Sequence, residues 1–214
     1  MKRNTQKILA ELMEKYPQLK GCFSDIEKAF VMLKNCYENC GSVFVCGNGG
    51  SASDSEHIVG ELLKNFKKHR PIQRVVYEKL QDFGEDGAYL CEKLEGALPA
   101  YSLNSQTGIM TAFANDKSWD AVFAQQLYGL GREGDCLISL STSGNSKNCI
   151  YATMVAKAKH LVTISLTGEG GGELKKYCDC IIAVPEMETY KVQELHLPVY
   201  HCLCAMLEVE LFEV

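Results

Sequence analysis

Short runs of consecutive apolar residues alternate along this chain with longer stretches whose apolar positions recur every three or four residues. SVFVC from Ser42, LPAYSL from Leu98, CLISLS from Cys136 and LVTISL from Leu161 are such runs, and a fifth, CIIAV, begins at Cys180. Runs of this length without polar alternation read as strands buried on both faces. Between most of them lie segments of helical length, such as Ser146 to His160. Strands alternating with helices predict an α/β fold, a three-layer α/β/α sandwich around a five-stranded parallel sheet.

Helices are expected at both ends. Two open the chain over residues 1–40. Ser24-Asp25-Ile26-Glu27 has the form of a capping box and predicts that the second begins at Ser24. Ile26, Phe30, Leu33 and Tyr37 follow helical spacing, and Gly41 is expected to end it. From about Tyr190 the chain reads as one long helix, with a bend expected at Pro198. The segment 67–96, with KKHR and EKLQDFGED, is long for a helix-to-strand connection. It predicts short helices over 72–81 and 87–94. It reads as a solvated surface insertion, with a lid or a subunit contact as the alternative. No internal repeat or low-complexity linker divides the chain, so residues 1–214 are expected to form one domain.

Charge and cysteine usage narrow the classes. A formal net charge of -5 leaves no basic footprint, which argues against nucleic acid as a direct partner. Met1 leads into the polar MKRNTQK, and no stretch reads as a secretory core or a membrane span. The expectation is a cytoplasmic protein without membrane contact. The 11 cysteines are odd in number and lie mostly inside apolar runs, as buried reduced thiols do. Cys178 with Cys180, and Cys202 with Cys204, lack the C-x-x-C spacing of a metal site.

Two loops carry candidate binding chemistry. Gly47-Asn48-Gly49-Gly50-Ser51 follows VFVC, and Ser141-Thr142-Ser143-Gly144-Asn145-Ser146 follows CLISL. In an open parallel sheet ligands bind beyond the carboxyl ends of strands, at helix N-termini. Glycine lets the backbone approach a ligand, free N–H groups favour an anion, and the hydroxyls of the second loop suit phosphate oxygens. No Walker lysine pattern is present. A dinucleotide loop of the form Gly-x-Gly-x-x-Gly fails at its third glycine, which is Ala52.

A second constellation suits proton transfer or metal binding. His57 and Glu61 are four apart and share a helix face, with Ile58, Leu62 and Phe66 directed to the core. Alone, such a pair reads as a surface hydrogen bond. QELHLPVYH in the last helix adds Gln193 and His201 among apolar residues, while His196 reads as a packing or hydrogen-bonded histidine. Two histidines, a glutamate and a glutamine compose a divalent-metal set, or the same Glu and His serve as base and acid on a sugar carbon.

Taken together, CGNGGSASDSEHIVGEL, AFANDKSWDAVFAQQLYGLGREGDCLISLSTSGNS and VQELHLPVYH resemble the SIS (sugar isomerase) domain family and, within it, the phosphoheptose isomerases. The resemblance spans nearly the whole chain. It implies a flavodoxin-like SIS fold and the conversion of sedoheptulose 7-phosphate to D-glycero-D-manno-heptose 7-phosphate by proton transfer through an enediol. Carried over, Asn48, Gly49, Gly50, Ser51, Asn115, Asp116 and Gln193 would touch substrate. Ser141, Thr142, Ser143 and Ser146 would hold the phosphate, Glu61 would be the base and His201 the acid. One zinc per site would be held by His57, Glu61, Gln193 and His201, in a homotetramer with active sites at subunit contacts. Tyr190 stands where the family commonly has an acidic residue, and the 67–96 segment is longer than usual, which leaves the sugar open. The competing reading is a non-catalytic SIS module that binds a phosphosugar or a protein partner, as relatives that bind a replication initiator do. Retention of both Glu61 and His201 favours an enzyme.

Overall fold

The computed structural model describes residues 1–212. In chain order the elements are α1 (Arg3–Lys15), α2 (Phe23–Glu38), β1 (Val43–Gly47), α3 (Gly50–Leu63), α4 (Arg74–Gln81) and α5 (Gly84–Lys93). There follow β2 (Ala100–Ser102), α6 (Thr107–Asp116), α7 (Val122–Leu130), β3 (Cys136–Leu140), α8 (Lys147–Ala158), β4 (Val162–Thr167), β5 (Cys180–Ala183) and α9 (Thr189–Phe212). All five apolar runs are strands. They form one parallel sheet in the order β2-β1-β3-β4-β5, with Val43 opposite both Ala100 and Cys136, Cys136 opposite Val162, and Ile164 opposite Cys180.

Why the runs do not alternate in polarity is clear from the two cores. Val43, Val45 and Ile138 join Leu9, Phe30, Leu33, Ile58, Leu62, Val199 and Met206 from α1, α2, α3 and α9. Phe44, Cys46 and Leu137 point the other way, onto Phe123, Leu127, Ile150 and Ala156 of α7 and α8. Successive side chains of a strand face opposite sides, so both sets must be apolar. α9 is long and apolar enough to cross a membrane, with a mean hydropathy of 1.3, yet 72% of that stretch is buried inside the protein. It is a core helix, and it runs unbroken through Pro198.

Three local expectations are corrected. α2 begins at Phe23, because the 3-10 stretch Pro17–Cys22 runs straight into it and the Phe23 N–H already bonds to the Lys20 carbonyl. Cys22 occupies the N-cap without a side-chain bond to the helix N–H groups, and the capping box does not form. At the other end the positive φ falls on Cys40 (60°), not on Gly41. Gly41 is needed for space instead: a Cβ there would sit 2.7 Å from Cys36 Sγ and 2.8 Å from the Gly134 carbonyl oxygen.

The third correction concerns 67–96. α4 and α5 do form, pack on each other and bury only Gly87. Arg70, however, is wholly buried. Its Nε donates to Glu208 Oε1 at 2.8 Å, and its other nitrogens donate to the Leu62 and Glu61 carbonyls at 2.8 and 3.0 Å. Glu208, equally buried, also accepts from the backbone N–H groups of Phe66, Lys67 and Lys68. The KKHR stretch is therefore a strap fastened to α9. Only the α4–α5 pair beyond it is an exposed insertion.

Candidate active site

With strand order 2-1-3-4-5, the direction in which the sheet is wound reverses between β1 and β3, and a crevice opens outside their carboxyl ends. A pocket of about 290 Å³ lies there. Asn48, Gly49, Gly50 and Ser51 line it from the loop after β1, and Ser141, Thr142 and Ser146 from the loop after β3. Thr189 and Gln193 of α9 complete it. Three helices thus begin at one pocket: α3 at Gly50, α8 with Ser146 as its N-cap, and α9 at Thr189. Their free N–H groups and dipoles favour an anion, and no lysine or arginine lines the wall. The chemistry is that of a phosphate cradle made of backbone and hydroxyl groups.

Glycine is required at two places by contact. A Cβ on Gly50 would lie 2.7 Å from Gln193 Nε2, so its absence lets α9 approach the loop. Gly144 has φ +67° and sits so close to Gly171 that a Cβ would be 2.2 Å from its carbonyl oxygen.

Residues beneath the pocket hold its loops. Asn48 and Asn148 exchange two amide hydrogen bonds of 2.8 and 2.9 Å. Asn104 accepts from the Gly47 N–H at 3.1 Å and donates to the Gly47 carbonyl at 2.8 Å. Neither Asn104 nor Asn148 stood out in the sequence, since an asparagine inside or beside a helix has no spacing that marks it. Ser141 Oγ donates to Ser146 Oγ at 3.0 Å. Ser143 is exposed and accepts from the Asn145 N–H, so it stands outside the lining. Asn115 and Asp116, at the end of α6, are exposed, bonded to each other, and absent from the pocket wall of their own chain.

The second set lies two turns along the same pair of helices. His57 Nε2 is 3.4 Å from Glu61 Oε1 and 3.4 Å from His201 Nε2. Burial and the neighbouring His57 hold His201 below the ordinary histidine value of 6.5, with Glu61 opposing them. Tyr200 is buried behind this set, its Oη 3.1 Å from both His57 Nδ1 and Asp54 Oδ1. In front of His201 a separate cavity of about 380 Å³ opens between α1 and α9, reaching Tyr16, Phe66 and Lys67.

The donors suit zinc in kind and in pairwise spacing. Zinc bonds of about 2.1 Å in a tetrahedron separate ligand atoms by roughly 3.4 Å. Among the described residues, however, no group of three or more His, Cys, Asp or Glu side chains closes around one point. Gln193 lies at Gly50, not with the other three. His196 is buried, and no partner among the described residues lies within good hydrogen-bond geometry of its ring nitrogens. Burial drives its pKa down to about 4, the Thr167 backbone opposing. All eleven cysteines are free thiols, eight of them buried.

Fold and pocket define an α/β protein with an anion-favouring pocket beside a cluster of His57, Glu61 and His201. SIS domain models match residues 9–97 and 106–207. The phosphoheptose isomerase of Akkermansia muciniphila is 35% identical over 201 residues, 94% of this chain and 93% of that one. The structure of the phosphoheptose isomerase from Neisseria gonorrhoeae superposes with a TM-score of 0.73 at 30% identity, covering 93% of this chain and 94% of its own. That from Francisella tularensis gives 0.74 at 29%, with 92% of each chain covered. The chain belongs to the SIS domain family, among the phosphoheptose isomerases.

Proposed function

We infer that the protein is an aldose–ketose isomerase acting on sedoheptulose 7-phosphate, yielding D-glycero-D-manno-heptose 7-phosphate. The carrying observation is that α3 and α9 present the phosphate pocket at one end and, two turns on, His57 with Glu61 and His201 each 3.4 Å from its Nε2. Gly50 to His57 is seven residues, roughly 10 Å along a helix. An open-chain seven-carbon sugar with single bonds near 1.5 Å spans about the same length from carbonyl end to phosphorus.

In this reading Glu61 removes a proton from C1 and His201 supplies one to the C2 oxygen, giving an enediol. Return of a proton to C2 and loss of one from the C1 oxygen complete the exchange without net redox change. Burial and the neighbouring His57 lower the His201 pKa, which makes its protonated ring the stronger acid toward the C2 oxygen. His57, Glu61, His201 and the Gln193 amide are the residues that would hold one zinc, which would polarise the sugar oxygens. Within one chain Gln193 lines the phosphate pocket, and Asn115 and Asp116 do not. This supports a homotetramer whose sites draw these groups from neighbouring copies, and the free thiols support a cytoplasmic setting.

The test is incubation of the purified protein with sedoheptulose 7-phosphate, followed by NMR detection of the aldose. Glu61→Gln is nearly isosteric and should cost about 10²–10⁴-fold in turnover with the fold retained. Near-normal turnover in that variant would sink the assignment of Glu61.

A further inference from the structure

Two surface features take no part in the reaction scheme, and their chemistries match. The first is the α4–α5 hairpin. Its helices have eight and ten residues, lengths at which a helix is marginal unless packing holds it, yet they bury only Gly87. Val75, Val76, Tyr77, Phe83, Tyr89 and Leu90 are all exposed, a patch of the kind that marks an interaction surface. Phe83 stands at the turn between the two helices and is 71% exposed. Asp82, Glu85 and Asp86 surround it in sequence, with no lysine or arginine between Lys79 and Lys93. The second feature is the cavity of about 380 Å³ between α1 and α9. Ile8, Leu12, Phe66 and Pro198 make it apolar, Lys15 and Lys67 outnumber Glu11 among its charges, and His201 lies in its wall. An aromatic tip ringed by carboxylates thus meets its complement in an apolar cavity flanked by ammonium groups.

We propose that the α4–α5 hairpin of one copy of this chain docks into the α1–α9 cavity of a second copy, seating Phe83 beside that copy's Phe66 and His201. The complement of the tip lies on the chain itself, so a second copy suffices as the partner. In its own chain Phe83 stands in solvent, outside the cavity. The root of the hairpin is closed by the Gly96 N–H, which donates to the Arg70 carbonyl at 2.7 Å, next to Phe212. Lys67 and Ala205 of the cavity lie on the same strap and the same helix as these anchors. Root and cavity are therefore neighbours on the surface. With a two-fold axis between them, each copy gives its tip and receives the other's. The docked ring adds a wall beside His201 and keeps water from that side of the acid–base set. This consequence rests on the isomerase reading; the contact does not.

Photo-crosslinking of the full chain tests the contact. With Phe83 replaced by p-benzoylphenylalanine, irradiation is expected to give a product of twice the chain mass on a denaturing gel. Mass spectrometry of its peptides should place the attachment within residues 8–16, 66–67 or 198–205, the walls of the cavity. Lys67→Glu reverses a charge at the rim and leaves the backbone bond from residue 67 to Glu208 in place. At a protein concentration giving half the maximal yield, it should lower the crosslink about two- to fivefold, the range of an exposed ion pair. Asp82→Lys added to Lys67→Glu should restore the yield, because the pair is then reversed and not broken. No product at twice the chain mass, attachment outside those residues, or a loss at Lys67→Glu that Asp82→Lys does not restore overturns the docking. The expected crosslink in a protein that does not convert sedoheptulose 7-phosphate overturns the isomerase reading alone and leaves the contact standing.

Discussion

Ser143 and Ser146 are three residues apart in one hydroxyl-rich loop, yet the structure gives them different work. Ser146 lines the pocket, stands at the N-cap of α8 and accepts from Ser141 Oγ, whereas Ser143 points to solvent and tightens the turn through Asn145. A phosphate contact far from the reacting carbon supplies binding that is uniform through the reaction, so its loss raises KM with little change in kcat. Ser146→Ala is therefore expected to raise KM for the phosphosugar about tenfold, an amount matching one good hydrogen bond to a charged group. Ser143→Ala should stay close to wild type. Steady-state kinetics of the two variants decide the matter: equal effects, or a larger effect at Ser143, would mean that the loop rearranges when it holds phosphate.

At the scale of elements, the strap from Phe66 to Arg70 fixes where α3 ends relative to α9. Arg70 grips the Glu61 and Leu62 carbonyls, and Glu208 collects three backbone N–H groups and the guanidinium. Burial raises the Glu208 pKa, but these bonds together outweigh it and hold the carboxyl below its ordinary value of 4.5. A carboxyl depressed in the folded state contributes stability that is present above the unfolded value and lost as pH falls through the folded one. Glu208→Gln should thus lower stability by about 3–5 kcal/mol at pH 7, since it strands a buried arginine, and by less once pH has fallen well below 4.5, through the depressed folded value. Urea unfolding at both pH values checks this, and an equal loss at each would exclude the charge as the cause. The sequence showed this strap only as a charged stretch, because burial of an arginine depends on a partner 138 residues away. The strands, the two loops and the His57–Glu61 face were legible, since two-sided burial and helical spacing are local signals. Capping at Ser24 misled because a capping box competes with whatever precedes it, here a 3-10 turn that already feeds the helix. Asn104, Asn148 and Tyr200 were invisible for the same reason as Arg70: their partners lie far along the chain.

At the scale of the whole molecule, one chain assembles the pocket between β1 and β3 and the His57–Glu61–His201 cluster but leaves Asn115 and Asp116 exposed at the end of α6. The family resemblance implies that those two act on substrate, and the tetramer proposed above would let them act on the substrate of another copy. The small helices α4 and α5 add a surface that a lone chain exposes, with Val75, Phe83 and Tyr89 open to solvent. A hybrid experiment separates the shared site from the self-contained one. Asp116→Ala lacks a substrate contact and Glu61→Gln lacks the base, so each pure protein is expected to be nearly inactive. In co-expressed hybrids, some sites would pair an intact Glu61 on one chain with an intact Asp116 on its neighbour, and part of the wild-type rate should return. In a self-contained site every chain carries one defect, and mixing restores nothing. Turnover of purified hybrids, with the assembly's mass measured on the same sample, gives the answer. Activity no greater than the sum of the two variants in a confirmed hybrid oligomer would place Asp116 outside the neighbour's site.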